Sequence, residues 1–184
     1  MKTIYILLTR STTCLSKFVH FVTDDMYTHV SFAFDETLEK LYSSSRKNGI
    51  TMFPAAPCTE NLQRGYYKDH QDIPCALYSL RVTDAVYKLT KAEADKIISS
   101  SDDYHFNIIG LLLCRLHIPL KRKRKFFCSQ FAGEILTRNK ALRLPKDPSL
   151  MRPIDYSFLP DLYSLFEGKV EELVSLAHSG RIKA

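Results

Sequence analysis

The sequence predicts an α+β fold, an antiparallel sheet with helices packed on it. Three observations carry this. Short runs rich in β-branched and aromatic residues, "KTIYILLT", "HVSFAFD" and "CALYSLRVT", read as strands. Apolar residues at helical spacing recur in other stretches. "KLYSSSRK" follows "HVSFAFD" across a "DET" turn, which makes the two an antiparallel hairpin.

Taken in order, "KTIYILLT" is a buried strand. The segment from Arg10 to Asp25 is expected to be a helix, capped by Thr12 or Thr13 and burying Leu15, Phe18, Val19 and Val22. In "HVSFAFD", Val30, Phe32 and Phe34 share one side while His29, Ser31 and Ala33 share the other. From Asn48 to Asp72 the pattern dissolves among Gly49, Pro54, Pro57 and Gly65, so this stretch reads as a long loop or insertion. "CALYSLRVT" restores strand character. "TKAEADKIISSS" opens with Thr90 and Glu93 at capping-box spacing and reads as a helix. "FNIIGLLLCRLHI" reads as another. In "CSQFAGEILTRN", Phe131, Ile135 and Leu136 lie at helical spacing and Asn139 marks the stop. "LRLPKDPSLMRPIDYSFLP" is a proline-punctuated loop, and "LYSLFEG" a last strand. "VEELVSLAHSG" is an amphipathic helix with Val170, Leu173, Val174 and Ala177 on one face and Gly180 as its cap. There is no internal repeat, and 184 residues suit a single domain spanning 1–184.

The composition is that of a globular protein, with 45% hydrophobic and 25% charged residues. The net charge is +6, and Lys121, Arg122, Lys123, Arg124 and Lys125 account for nearly all of it. The basicity is therefore local, which argues against a general nucleic-acid binder. The five cysteines are odd in number, scattered and without C-x-x-C, which argues against a disulfide framework and a zinc ribbon. His70, His105 and His117 lack paired ligand spacing, so neither metal nor cofactor is expected. The opening apolar run is too short for a secretory signal. "NIIGLLLCRLHIPL" is broken by Arg115 and His117 and falls short of the roughly 20 apolar residues of a membrane span. It reads as a buried or surface-lying helix, and the chain as cytoplasmic.

Cys128 opens an inferred helix, where partial positive charge and unpaired N–H groups favour a thiolate. A nearby imidazole would complete a nucleophile. His29 is the best candidate, because it opens a strand and lies on its more polar side. "THVSFAFD", then "KLYSSSRK", then a late "FFCSQFAGEIL", resembles the circularly permuted branch of the NlpC/P60 papain-like superfamily. In that branch the histidine strand comes first and the cysteine helix last, which is the order of His29 and Cys128.

The resemblance implies a permuted papain-like fold and a thiol hydrolase or acyltransferase acting on an amide or ester. Cys128 would attack a carbonyl carbon, His29 would move the proton, and the Cys128 N–H would help bind the oxyanion. The family's third member is a polar residue on the strand after the histidine, often acidic, amide or imidazole. Here that strand offers Ser43, Ser44 and Ser45, with Ser43 the first choice, a departure that weakens the expected support for an imidazolium. Tyr27, Arg46 and Lys47 are candidates to line the cleft. The expected substrate is a small molecule, a peptide or an acyl lipid. The basic stretch from Lys121 to Lys125 could meet an anionic membrane surface.

Each feature also has a plainer reading. A cysteine at a helix start is usually a small buried hydrophobe, and a basic run is usually a solvated loop. Two alternatives follow. One is a non-catalytic lipid- or peptide-binding module on the same fold. The other is a basic adaptor for anionic surfaces or nucleic acid through Lys121 to Lys125.

Overall fold

A computed structural model describes residues 1–10, 25–46 and 55–182. The helix expected between Thr12 and Val22, and Cys14 with it, lies outside these residues. In chain order the described elements are β1 (Lys2–Thr9), β2 (His29–Ala33), β3 (Leu41–Arg46), β4 (Ala55–Glu60), β5 (Pro74–Val82) and α1 (Asp84–Ser99). Then come β6 (His105–Phe106), α2 (Ile108–Arg115), β7 (Lys125–Phe126), α3 (Cys128–Arg138), β8 (Tyr163–Lys169) and α4 (Val170–His178). Six strands form one sheet in the order β4-β3-β2-β1-β5-β8, with every neighbouring pair antiparallel. β6 and β7 form a separate, short parallel pair. The architecture is α+β.

The central position of β1 explains its unbroken apolar run. Ile4, Ile6 and Leu8 face one core while Tyr5 and Leu7 face the other, so neither side of the strand meets water. On the first face Val30, Phe32 and Tyr42 pack under Ala94 and Ile97 of α1 and Phe131, Ala132, Ile135 and Leu136 of α3. On the second face Ala33, Leu41, Cys75 and Leu77 pack under Val170 and Leu173 of α4. The expected alternation in β2 holds, with Val30, Phe32 and Phe34 in the first core and Ala33 in the second.

Two expectations need correction. The stretch from Asn48 to Asp72 is not loop throughout, because Ala55–Glu60 forms β4 and Gly65–Asp69 a short 3-10 helix. β4 is an edge strand, so Pro57 sits opposite Ser44 without the second neighbour its missing N–H would fail. Proline and small residues hid the strand from its pattern. Residues 47–54 lie outside the described ones. Secondly, α1 begins at Asp84, where the Thr83 hydroxyl accepts the Val86 N–H at 3.3 Å. Thr90 is buried inside that helix and donates its hydroxyl to the Val86 carbonyl at 2.7 Å. Its capping-box partner Glu93 instead binds Arg138 and Asn139 at the end of α3.

Candidate active site

α3 starts where the sequence places it, with Cys128 as its first residue. β7 delivers the chain in an extended conformation through Phe127, whose side chain offers no cap. α1 and α2 are different, being capped by Thr83 and Asn107. The first intrahelical bond of α3 runs from the Phe131 N–H to the Phe127 carbonyl at 2.8 Å. Helix geometry therefore leaves the amides of Cys128, Ser129 and Gln130 without intrahelical acceptors. An uncapped helix N-terminus carrying a cysteine keeps its positive end for whatever negative charge arrives.

Neighbouring segments fix this first turn in place. The Ser129 hydroxyl donates to the Met151 carbonyl at 2.6 Å, and the fully buried Tyr156 hydroxyl donates to the Ser129 carbonyl at 2.6 Å. Asn107 donates to Gln130 Oε1 at 3.1 Å and to the Leu120 carbonyl at 3.1 Å. The Gln130 Nε2 is buried and finds no partner among the described residues.

His29 opens β2, opposite Thr9 of β1. Its Nε2 lies 3.0 Å from Oε2 of Glu60 and 3.2 Å from Oγ of Ser43. The single proton of the Ser43 hydroxyl goes to the Val30 carbonyl at 2.9 Å. Ser43 can then only accept from the ring, so Nε2 carries hydrogen and shares it between Ser43 and Glu60. The other carboxylate oxygen, Oε1 of Glu60, accepts the Ser45 hydroxyl at 2.6 Å. Ser45 Oγ also lies 3.1 Å from the thiol of Cys58, which becomes the donor there because the serine proton is already used.

Burial by itself pulls the His29 imidazole down, since desolvation disfavours its charge. The Glu60 carboxylate, a hydrogen bond with Cys128 and the hydrogen bond to Glu60 outweigh that and hold it well above its ordinary value of 6.5. The His29 and Glu60 side chains are only 12% and 16% exposed, so water screens their attraction weakly. The Glu60 carboxylate therefore favours the protonated form of the ring.

Of the residues singled out from sequence, the structure brings together Cys128, His29 and Ser43. Tyr27 is not in contact with the imidazole by any bond it makes; it is buried in the first core and its hydroxyl donates to Glu167 at 3.2 Å. Burial and the Glu167 charge push its ionisation far above the ordinary phenol range. Arg46 ends β3, and Lys47 lies outside the described residues. Two of the other thiols are buried: desolvation pushes Cys75 up to about 12 and Cys114 up to about 11, as expected of unreactive cysteines. Among the described residues no group of three or more His, Cys, Asp and Glu side chains is arranged to hold a metal.

Glu60 is the residue that sequence reasoning missed. It sits in the stretch taken for loop, at the end of the unrecognised edge strand. A carboxylate following an alternating Ala-Pro-Cys-Thr is the one signal that pointed there, and it is weak.

No protein-family model matches the chain, and no curated protein matches it.

Proposed function

We propose that the protein is a thiol hydrolase or acyltransferase of permuted papain-like fold, acting on an amide or ester through Cys128, His29 and Glu60. One observation carries the reading: a buried imidazole held between a carboxylate and a cysteine at an uncapped helix N-terminus. The order of the histidine strand and the cysteine helix supports the permuted arrangement.

The chemistry follows from those positions. Glu60 and Ser43 occupy Nε2, which leaves Nδ1 for the thiol. As the Cys128 sulfur attacks the carbonyl carbon its proton passes to Nδ1 of His29, and a C–S bond forms while the carbonyl electrons move onto oxygen. The free amides of the first turn of α3 receive that oxyanion. As it collapses, the bond to the leaving nitrogen or oxygen breaks and His29 gives that atom its proton. Water, or another acceptor, then attacks the thioester while His29 takes the incoming proton, and the thiol is released. Glu60 keeps the ring oriented and stabilises its cationic form, while Ser43 accepts the same N–H.

The test is turnover of chromogenic amide and acyl-ester substrates by wild type, Cys128→Ala and His29→Ala, alongside iodoacetamide labelling mapped by peptide mass. Cys128→Ala is expected to abolish turnover, and His29→Ala to lower it by about 10²-fold or more. Turnover that survives Cys128→Ala would sink the proposal. Cys128 is only 8% exposed, which is the observation favouring a non-catalytic module. No labelling of Cys128 in the folded protein, with no turnover, would decide for that module.

A further inference from the structure

α2 leaves most of one face uncovered. Ile109, Leu112 and Leu116 are 52%, 44% and 65% exposed, and their spacing puts them on one side of the helix. The helix ends at Arg115, the φ of 57° at His117 just beyond it turns the chain back, and the Ile118 N–H bonds the Leu113 carbonyl at 3.0 Å. This turn sets Ile118, 49% exposed, at the end of the same helix.

The chain then runs back beside α2. Asn107, the cap of α2, donates to the Leu120 carbonyl, and the Asn107 N–H bonds the Phe126 carbonyl at 3.1 Å. The return passes through Lys121, Arg122, Lys123, Arg124 and Lys125. Lys121 is engaged by Asp147 at 3.0 Å and Arg124 by Asp103 at 3.5 Å. Arg122 is half-buried and Lys123 exposed. An exposed apolar helix face is thus flanked by a basic strap of the same hairpin. Such a pairing of apolar side chains and cations suits the boundary between acyl chains and anionic headgroups. A protein partner or a second copy would cover the apolar residues but would not call for the strap's charge.

We propose that this hairpin docks on an anionic membrane surface, with the exposed face of α2 at the headgroup boundary and the strap on the lipid charges. No helix among the described residues is long and apolar enough to cross a membrane, so the contact is peripheral. It places the membrane beside the chain segment that leads directly into Cys128. The docking does not depend on the catalytic reading, and its test uses the Cys128→Ser protein, so either can fail alone.

The experiment is co-sedimentation with phosphatidylcholine vesicles, with and without phosphatidylserine, over a salt series. Binding is expected only with phosphatidylserine and is expected to weaken as salt rises. Arg122→Gln with Lys123→Gln should weaken it by about fivefold or more. Leu112→Glu with Leu116→Glu, both at exposed positions, should weaken it at least as much without lowering the melting temperature. Equal partitioning with and without phosphatidylserine would overturn the proposal. So would unchanged binding by both pairs. Absence of vesicle binding would overturn it too, with oligonucleotide binding then assigning the strap to nucleic acid, or a dimer broken by Leu112→Glu assigning the face to self-association.

Discussion

His29 has two acceptors around one nitrogen, Glu60 and Ser43, and Cys128 near enough to act on its charge, so that charge reflects a balance among three neighbours. Glu60 contributes the largest favourable part of that balance, as both a charge and a hydrogen-bond acceptor. Glu60→Gln keeps the shape and removes the charge. The His29 titration, followed by NMR, is then expected to move down towards the ordinary histidine range. Iodoacetamide labelling of Cys128 near neutral pH should slow in the same variant, because less imidazolium faces the sulfur. An unchanged His29 titration would mean that the carboxylate is not what holds the proton. Ser43→Ala should matter much less, since Ser43 is a neutral acceptor sharing a hydrogen that Glu60 also takes.

At the scale of elements, three hydrogen bonds that hold the first turn of the cysteine helix come from segments outside the six-stranded sheet. Asn107 links the start of α2 to the first turn of α3, while Met151 and Tyr156 hold that turn from the proline-punctuated segment. Gly110 belongs to this arrangement, because a Cβ there would run into the Asn107 side chain. Asn107 is fully buried and accepts the Gly110 N–H at 3.2 Å while donating to Gln130 and Leu120, so it has little room to yield. Gly to Ala in a helix normally stabilises by up to about 1 kcal/mol. Gly110→Ala is expected to reverse that sign and lower stability by about 1–3 kcal/mol, read from urea denaturation. A stabilised Gly110→Ala protein would show that the cap relaxes freely. α3 does without the side-chain cap that α1 and α2 possess, and its cysteine is the residue that benefits. The N-cap residue of α4, Lys169, also offers no side-chain cap, but there Glu172 reaches back to accept the Lys169 N–H at 2.9 Å.

Across the whole molecule, the His29–Glu60 pair ties stability to pH. His29 has a folded value raised above its ordinary 6.5. Such a group stabilises the fold fully below its unfolded value, and the contribution is lost as pH rises through the folded one. Urea midpoints measured upward from pH 6 should therefore fall more steeply in wild type than in His29→Gln, other groups being common to both. Parallel curves would show that His29 contributes no such linkage. What the sequence by itself determined is the set of elements whose burial shows as periodicity. β1 is apolar without a break from Ile4 to Leu8 because it is central, β2 alternates because its two faces meet different cores, and Cys128 opens a helix whose apolar stripe is regular. The order of His29 and Cys128 was legible for the same reason. Ser43 is one of three consecutive serines, Ser43 to Ser45, and the sequence by itself does not fix the register that selects it. Only the tertiary structure decided that Glu60 is the charged partner of His29. That contact spans β2 and β4 with β3 between them, and β4 is an edge strand of small residues and proline whose pairing supplies no periodic signal. Local pattern records which side of an element is buried, whereas the juxtaposition of a carboxylate, an imidazole and a thiol from three distant segments exists only once the sheet and helix have packed.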